Sequence, residues 1–251
     1  MVNDDGAAKA PQGAGASNAQ ALQRSDAASA KPSEGPDAAS ARVGGTGRAR
    51  TRPRGRPRSF DRETALEKAL LAFWEHGYEA TSVSDLTRVM DIGAPSLYAA
   101  FGDKRSLFDE VVRVYGTRYG SFAERALTEE PTARAAVERT LREAATAYTE
   151  PGRPHGCLVV HAAANCSNPE VEQSLRDRRN ANIAAFESRI GADVAAGVLP
   201  PATDATALAR HTGAMIQGMS QQARDGASRE ELEAVAEIAL AIWPRTGTHT
   251  G

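Results

Sequence analysis

The sequence predicts an all-α protein, and three observations support this prediction. Apolar residues recur at helical spacing along most of the chain beyond residue 60. Alanine is abundant and aromatic residues make up only 5% of the chain, a composition that suits helices better than strands. No run of alternating β-branched residues indicates a strand. We therefore expect helices packed around one or two cores.

Composition also limits the class of protein. The chain has 251 residues, a formal net charge of −2 and 41% hydrophobic residues, which is enough for a sizeable core. No apolar stretch reaches the roughly 18 residues that a membrane span needs, and the N-terminus lacks the features of a secretory signal. Two cysteines, Cys157 and Cys166, do not make a disulfide framework. We expect a cytoplasmic protein without a membrane partner.

The two ends of the chain differ from the rest. Residues 1–47 contain mostly Ala, Gly, Ser, Pro and Asp, with almost nothing large and apolar. Such a segment cannot bury enough surface to offset the entropy of ordering. We expect a disordered tail there, and a flexible C-terminus at residues 245–251.

Residues 48–58 form a basic arm with arginine at every second position. The segment Arg54-Gly55-Arg56-Pro57 matches the core of the AT-hook, an extended peptide that lies in the narrow minor groove of A·T-rich DNA. We therefore take Arg54, Arg56 and Arg58 as DNA-binding candidates. A solvated basic linker remains the alternative, because charge runs are common in tails.

The stretch from Ser82 to Lys104 predicts two short helices joined by a tight turn. Ser82 can cap the first helix, with Asp85 as its acidic partner three residues on. Pro95 is tolerated in the first turn of the second helix. Apolar residues that would pack the pair together are Val83, Leu86, Met90, Ile92, Leu97 and Phe101. The pattern fits a helix-turn-helix, whose second helix enters the DNA major groove, and it equally fits a plain helical hairpin.

Motifs across residues 55–108 favour the first interpretation. They are Ala69-x-x-x-Phe73, the turn from Gly77 to Ser82, Ser96-Leu97-Tyr98, Phe101, Lys104 and Leu107. In this register they resemble the DNA-binding domain of the TetR family of bacterial repressors. The resemblance implies a three-helix helix-turn-helix domain at residues 59–106 and a helical ligand-binding and dimerisation domain at 107–244. It further implies a homodimer on an operator, released by a small-molecule effector, with no cofactor.

Individual DNA contacts can be assigned within this domain. Hydroxyl and ammonium groups at helix starts suit phosphates, and the resemblance puts phosphate contacts at the same positions: Thr81, Ser82, Tyr98 and Lys104. Ser96 is the hydrogen-bonding candidate for base edges, and Ala94, Pro95 and Ala99 suit thymine methyls. Between residues 59 and 105 five basic side chains face eight acidic ones, a net of −3. We therefore expect the basic arm to supply much of the affinity.

Several further helices are predicted from periodicity and capping. The first runs from about Arg62 to His76, and a long one from Asp103 to about Leu127. Gly116 and Gly120 lie inside the long helix, each costing about 1 kcal/mol relative to Ala, and indicate either close packing or a hinge. Beyond Pro131 the helices are expected at about 132–148, 156–165, 169–196, 204–224 and 228–243, with a capping box at Ser228 and Glu231.

The resemblance assigns roles to apolar residues of the C-terminal domain. It places a dimer interface on the last two helices, and the candidates there are His211, Met219, Leu232, Val235, Ile238 and Ile242. Two recognition helices related by a two-fold axis would read half-sites about one DNA turn apart, hence a near-palindromic operator. Candidates for an effector cavity are Tyr119, Phe122, Tyr148, Cys157, Phe186 and Met215.

Cys157 supports a second hypothesis. It is expected at a helix start with His161 one turn on, which suits a sensor of oxidants or electrophiles. A buried free cysteine that acts as a small hydrophobe is the alternative.

The same residues also bear on other functional classes. The spacing of Cys157 with His155 and Cys166 matches no zinc pattern, so we expect no metal site. A Cys157–His161 nucleophile and base lacks a third orienting group, and the chain has no G-x-S-x-G, P-loop or H-E-x-x-H motif, so we expect no enzyme. An architectural A·T-rich DNA binder without an effector also remains open.

Overall fold

In the computed structural model, residues 60–163 and 166–244 are described, and their secondary structure consists of helices and turns. The helices are α1 (Arg62–Ala80), α2 (Val83–Met90), α3 (Ala94–Phe101), α4 (Lys104–Arg118), α5 (Phe122–Glu129), α6 (Ala133–Tyr148), α7 (Leu158–His161), α8 (Pro169–Ala195), α9 (Ala205–Arg224) and α10 (Arg229–Ala241). The all-α prediction is confirmed. The expectations for the tail, the basic arm with Arg54, Arg56 and Arg58, and the C-terminus at 245–251 lie outside the described residues.

Helix α1 begins where predicted, but it continues to Ala80 beyond the predicted end near His76. The Asp61 carboxylate accepts hydrogen bonds from the amides of Glu63 and Thr64 at 3.0 and 3.3 Å, and so caps the free N-terminus. Gly77 has φ of +80°, which leaves the helical region, and a last turn to Ala80 follows the bend. Glycine adopts this backbone conformation without the strain that a Cβ would bring. The bend directs the chain into α2.

Helices α2 and α3 form the predicted pair. The Ser82 hydroxyl accepts from the Asp85 amide at 3.1 Å and the Asp85 carboxylate accepts from the Ser82 amide at 3.1 Å, which completes a capping box. Asp91 ends α2 in the left-handed conformation, at φ of 56°. Leu86 of α2 and Leu97 of α3 are fully buried against α1 and α4. The helix-turn-helix therefore rests on a packed core.

The predicted long helix from Asp103 to Leu127 is wrong in its second half. Helix α4 ends at Arg118, and α5 is a separate helix. The amides of Tyr119 and Gly120 both donate to the Tyr115 carbonyl, at 2.9 and 3.0 Å, so the chain tightens and turns. A Cβ on Gly120 would lie 3.3 Å from the Tyr115 ring, so glycine allows this close return. The predicted hinge position is therefore a helix break.

Gly116 is not closely packed against a neighbouring helix, contrary to the expectation from the sequence. A Cβ placed on it would meet no atom within 4 Å. Its missing side chain leaves open space inside the C-terminal part of the fold.

The remaining helices match the predicted ones to within a few residues, except α7. Helix α7 has four residues, because the turn from Ala162 follows at once, whereas a helix over 156–165 was predicted. The N-terminus of α6 is held by Asp193, a buried carboxylate of α8 that accepts from the Ala133 amide at 2.6 Å. Ser228 and Glu231 form the predicted capping box of α10.

Two apolar cores hold the described residues together. The first core spans α1 to α4 and also includes Leu158 of α7 and Val171 and Leu175 of α8. The second core is formed by α5, α6, α8, α9 and α10. The predicted boundary between residues 106 and 107 therefore falls inside one continuous core.

Within the described residues, we find no helix with the length and apolar character of a bilayer-spanning segment.

Candidate nucleic-acid interface and effector cavity

Helix α3 presents one side of small and polar residues to solvent. Leu97 is 0% and Phe101 5% exposed, and these two anchor the helix from beneath. Tyr98 is 50% exposed. Pro95, Ser96 and Ala99 are also exposed, and Ala94 is partly so. The candidates for DNA contact on α3 therefore share the outward side, and such a low surface can approach a groove closely.

The candidates for phosphate contact around α3 differ in whether their polar groups already have partners inside the fold. The Ser82 hydroxyl is exposed but donates to the Asp85 carboxylate at 2.6 Å, so its first role is to hold α2. Lys104 opens α4, with its Nζ 4.2 Å from the centre of the Tyr78 ring. Burial lowers the pKa of Lys104, while Glu79 and Cys166 act in the opposite direction.

Thr81 does not fit the expectation of a phosphate contact through its hydroxyl. The residue is 1% exposed, and the hydroxyl donates to the Gly77 carbonyl at 2.7 Å. Because Gly77 bends the chain, that carbonyl lacks the usual helical partner and takes the Thr81 hydroxyl instead. This side chain stabilises the bend and is withdrawn from the surface.

The helical tip has little free positive charge. Arg88 pairs with Asp85 at 3.0 Å, and Arg62 pairs with Glu110 at 2.7 Å. The Ser82 hydroxyl, followed by Arg88, lowers the pKa of Asp85 to about 2, so this carboxylate stays charged at neutral pH. The three arginines between residues 59 and 105, Arg62, Arg88 and Arg105, are thus all paired with carboxylates.

A cavity of about 550 Å³ lies between α4, α5, α7, α8 and α9, beneath the end of α6. Its size is within the range of small-molecule sites. The apolar part of its wall is formed by Val112, Tyr115, Phe122, Tyr148, Val159, Val160, Ile183, Phe186 and Ile216. The polar part includes Arg113, Glu124, Arg178, Arg179, Asn182 and Gln217.

Four of the six predicted effector residues line this cavity, namely Phe122, Tyr148, Cys157 and Phe186. Tyr119 and Met215 do not. The Tyr119 hydroxyl donates to the Glu67 carboxylate of α1 at 2.6 Å, because the turn after α4 directs the ring toward α1. On α9 the cavity-facing positions are Gly213, Ile216 and Gln217, and the helical rotation places Met215 off that side.

Sequence reasoning missed the polar wall of the cavity. Arg179, Asn182, Ile183 and Phe186 recur at helical spacing on one side of α8. That spacing was visible in the sequence. An arginine at the edge of an apolar stripe, however, usually indicates the solvent boundary of an amphipathic helix, so the pattern alone predicted no site.

Cys157 lies on the cavity wall directly before the short helix α7. Its amide donates to the Ser220 hydroxyl at 2.8 Å. The buried Tyr115 and Tyr148 line the same cavity. Burial, with a further contribution from Cys157, raises the pKa of both tyrosines well above the usual 10. Two buried phenols therefore share the cavity wall with the thiol.

His161 is not the partner predicted for Cys157. Its imidazole lies beside Glu75, His76 and Arg224 at the end of α1. Burial lowers the pKa of His161, and Arg224 acts in the same direction. The nucleophile and base pair considered from the sequence is therefore not assembled. Among the described residues, no three His, Cys, Asp or Glu side chains come together as a metal-binding group.

The predicted dimer residues separate into two groups. Val235 and Ile238 of α10 and its C-cap residue Ile242 are 37%, 73% and 57% exposed, and their helical spacing places them in one apolar patch. Met219 and Leu232 are each 1% exposed and belong to the second core, so the expectation that they form an interface is wrong. Both lie on the inward sides of their helices, which spacing alone did not distinguish. His211 is partly buried.

The chain is similar to bacterial transcriptional regulators in sequence. Residues 65–111 match the family described as bacterial regulatory proteins, tetR family. Over 194 residues the chain is 37% identical to the HTH-type transcriptional repressor ComR of Escherichia coli strain K12, covering 76% of this chain and 92% of ComR. It is 34% identical over 186 residues to the repressor BdcR of the same strain, covering 74% and 90%.

Solved structures agree with these relatives. A cysteine mutant of the TetR family transcriptional regulator CifR, complexed with 26-base-pair double-strand operator DNA, is 42% identical, with a TM-score of 0.71. The match covers 75% of this chain and all of that one. A putative TetR transcriptional regulator from Rhodococcus sp. RHA1 is 39% identical, with a TM-score of 0.53, over 73% of this chain and 99% of that one.

Proposed function

Because the chain belongs to the TetR family of bacterial regulatory proteins and is a DNA-binding transcriptional regulator, we propose that it represses transcription from an operator and that a small molecule releases it. The observation that carries this proposal is the exposed side of α3, held rigidly by the buried Leu97 and Phe101. The operator complex of the related CifR supports it. The protein would act in the cytoplasm, by binding rather than by catalysis.

In this proposal α3 enters the major groove. Ser96 would hydrogen-bond a base edge, and Ala94, Pro95 and Ala99 would contact thymine methyls. Ser82, Tyr98 and Lys104 would bind phosphates, and Thr81 is left out because its hydroxyl is used inside the fold. Arg54, Arg56 and Arg58 would lie in the adjacent minor groove and supply the positive charge that the helices lack.

We further propose a homodimer formed through α9 and α10. Val235, Ile238 and Ile242 would be covered by the second copy. The exposed Ala214 and Gly218 of α9 have little side chain, which permits a close approach between helices. Two copies related by a two-fold axis would place their α3 helices on successive turns of a near-palindromic operator.

Release would begin at the cavity. Helix α4 starts at Lys104, beside the DNA-facing surface, and carries Arg113 and Gly116 on the cavity wall. A ligand that prefers a shifted position of α4 would therefore favour a different placement of the helix-turn-helix. Coupling of about 1–3 kcal/mol between the two sites is sufficient for regulation.

The direct test is selection of bound fragments from a random pool of duplexes by the full-length protein. We expect a near-palindromic sequence, bound with an affinity that falls steeply as salt rises. Removal of residues 1–58 should lower both the affinity and the salt slope if the arm contributes contacts. Binding without preference over random A·T-rich duplexes would instead indicate an architectural DNA binder and overturn the proposal.

A second candidate function is a thiol sensor on the same scaffold. The observation that favours it is the position of Cys157 on the cavity wall, which it shares with the buried Tyr115 and Tyr148. Release of the selected operator by hydrogen peroxide or by a Michael acceptor should then require this thiol. If Cys157→Ser is released equally well by these reagents, the sensor is excluded, while release by a non-covalent effector is unaffected.

A further inference from the structure

We infer that the effector is an organic anion, a carboxylate or similar group on an apolar body, and that Arg179 binds its charge. This rests on the proposed function, because it names the class of molecule that would occupy the cavity described above.

Arg179 is a partly buried arginine without an acidic partner. Its Nη1 donates to the main-chain carbonyl of Val159 at 3.2 Å, and in the described part of the chain no carboxylate forms an ion pair with it. Two other arginines of α8 do have such partners, since Arg176 pairs with Glu172 and Arg189 pairs with Asp193 at 3.5 Å. Removing a guanidinium from water without a counter-charge is unfavourable. An anion in the cavity would provide that counter-charge.

The groups that surround Arg179 support this view. Burial lowers its pKa, and the positive charge of Arg176 acts in the same direction. The Cys157 thiol and Glu172 act in the opposite direction. The guanidinium is thus both desolvated and poorly compensated, which is the condition under which an anionic ligand adds most to the stability of the protein.

Basic residues outnumber acidic residues on the cavity wall. Three arginines, Arg113, Arg178 and Arg179, line it together with one acid, Glu124. Arg113 has a distant acidic partner, Glu110, at 3.6 Å. A guanidinium binds a carboxylate through two parallel hydrogen bonds, which adds orientation to charge attraction. The positive excess therefore favours anions over neutral or cationic molecules.

The apolar part of the cavity wall selects an apolar body. Phe122, Phe186, Ile183 and Ile216 belong to that part, and the volume of about 550 Å³ accepts a hydrocarbon chain or a ring system. A purely polar anion such as inorganic phosphate would leave this wall in contact with water. An amphipathic acid satisfies both the charged and the apolar residues of the wall.

Calorimetric titration of the full-length protein without DNA tests the inference. The probes are straight-chain carboxylates from hexanoate to dodecanoate, each compared with its neutral primary amide. We expect at least one carboxylate to bind about tenfold or more tightly than its amide, as a charge-assisted pair to arginine would give. Arg179→Gln should remove this preference, and Arg179→Lys should keep part of it because the charge is retained.

The matched control is Arg176→Gln, which changes an exposed arginine of the same helix whose partner is Glu172. It should leave the preference intact, and thermal unfolding of each variant verifies that the fold is kept. Equal binding of carboxylates and amides by the wild type, no binding by any carboxylate, or an unchanged preference in Arg179→Gln would each overturn the inference. A carboxylate that binds through Arg179 without weakening operator binding would contradict the proposed release and leave this inference standing.

Discussion

The guanidinium of Arg224 donates through Nη2 to the main-chain carbonyl of Glu75 at 3.0 Å, and so joins the end of α9 to the last helical turn of α1 before the bend at Gly77. Its Nη1 also lies 3.4 Å from the Trp74 carbonyl and 3.3 Å from that of His155. Helix α9 carries three residues of the cavity wall, and Glu75 comes two residues before the bend at Gly77 that leads into α2. Because Arg224 joins α9 to α1, a movement of α9 can be transmitted through α1 to the helix-turn-helix.

Substitution Arg224→Ala tests that route. We expect operator affinity without effector to stay close to that of the wild type, because Arg224 lies away from the α3 surface. The shift in affinity caused by an effector should become smaller, since α9 would no longer hold α1. Loss of these hydrogen bonds should also lower the free energy of unfolding by about 1–2 kcal/mol. Affinity measured with and without effector gives the coupling, and Arg229→Ala, which removes an exposed pair with Glu233, serves as the control.

Substitution Tyr98→Phe isolates one proposed DNA contact. The ring is half exposed and its hydroxyl makes no hydrogen bond within the described residues, so the fold should be unaffected. If the hydroxyl binds a phosphate, operator affinity should fall about fivefold, the equivalent of ~1 kcal/mol. Fluorescence anisotropy with the selected duplex measures this. An unchanged affinity would remove Tyr98 from the interface, and Ser188→Ala, an exposed hydroxyl on α8, controls for surface changes in general.

Substitution Ile238→Glu tests the dimer. Ile238 is 73% exposed, so a charge there is solvated in a monomer and buried without a partner in the proposed interface. We expect monomers at micromolar concentration in analytical ultracentrifugation, together with weakened operator binding. Ser188→Glu introduces the same charge on the exposed side of α8 and should leave the dimer intact. A dimeric Ile238→Glu protein would place the interface elsewhere.

Substitution Gly116→Leu tests the cavity as the effector site. A Cβ on Gly116 meets open space, so the longer side chain has room, and that room is part of the cavity. We expect binding of the tightest carboxylate probe to weaken by about tenfold or more, or ~1.4 kcal/mol, with thermal stability maintained. Gly191→Leu on α8, where a Cβ also meets open space, is the control. Full binding by Gly116→Leu would mean that the ligand lies elsewhere.

The capping box at the start of α2 should show a defined pH dependence. The hydrogen bond from the Ser82 hydroxyl, followed by Arg88, lowers the pKa of Asp85 from an ordinary 3.8 to about 2. A carboxyl whose pKa is lower in the folded state stabilises the fold above its unfolded pKa, and this contribution disappears as the pH falls through the folded value. The stability difference between the wild type and Asp85→Asn should therefore persist above pH 4 and shrink between about 4 and 2. Thermal unfolding at several pH values measures it, and a difference independent of pH would contradict the assignment.

Local features of the fold were predictable from the sequence. The capping boxes at Ser82 and Ser228 involve groups three residues apart, so spacing is sufficient to identify them. The departure from helical backbone at Gly77 follows from one residue type, although the further turn of helix to Ala80 was not predicted. The outward side of α3 also followed, because Leu97 and Phe101 determine which side is buried.

Features that depend on packing were not predictable. The break after α4 arises where Tyr119 and Gly120 both donate to the Tyr115 carbonyl, and helical periodicity continues through it. Thr81 has the chemistry of a phosphate ligand, and only its burial against the Gly77 carbonyl shows that it is used otherwise. The cavity requires several helices at once, so the role of Arg179 was not visible from its neighbours in the sequence.

The continuous first core has a practical consequence for chimeric regulators. Leu158, Val171 and Leu175 pack against the same residues that support the helix-turn-helix. An exchange of DNA specificity between two relatives by joining their chains near residue 106 would therefore pair half of one core with half of another. To make a functional hybrid, one should instead exchange only the outward residues of α3, or exchange α3 together with α4, α7 and the first two turns of α8.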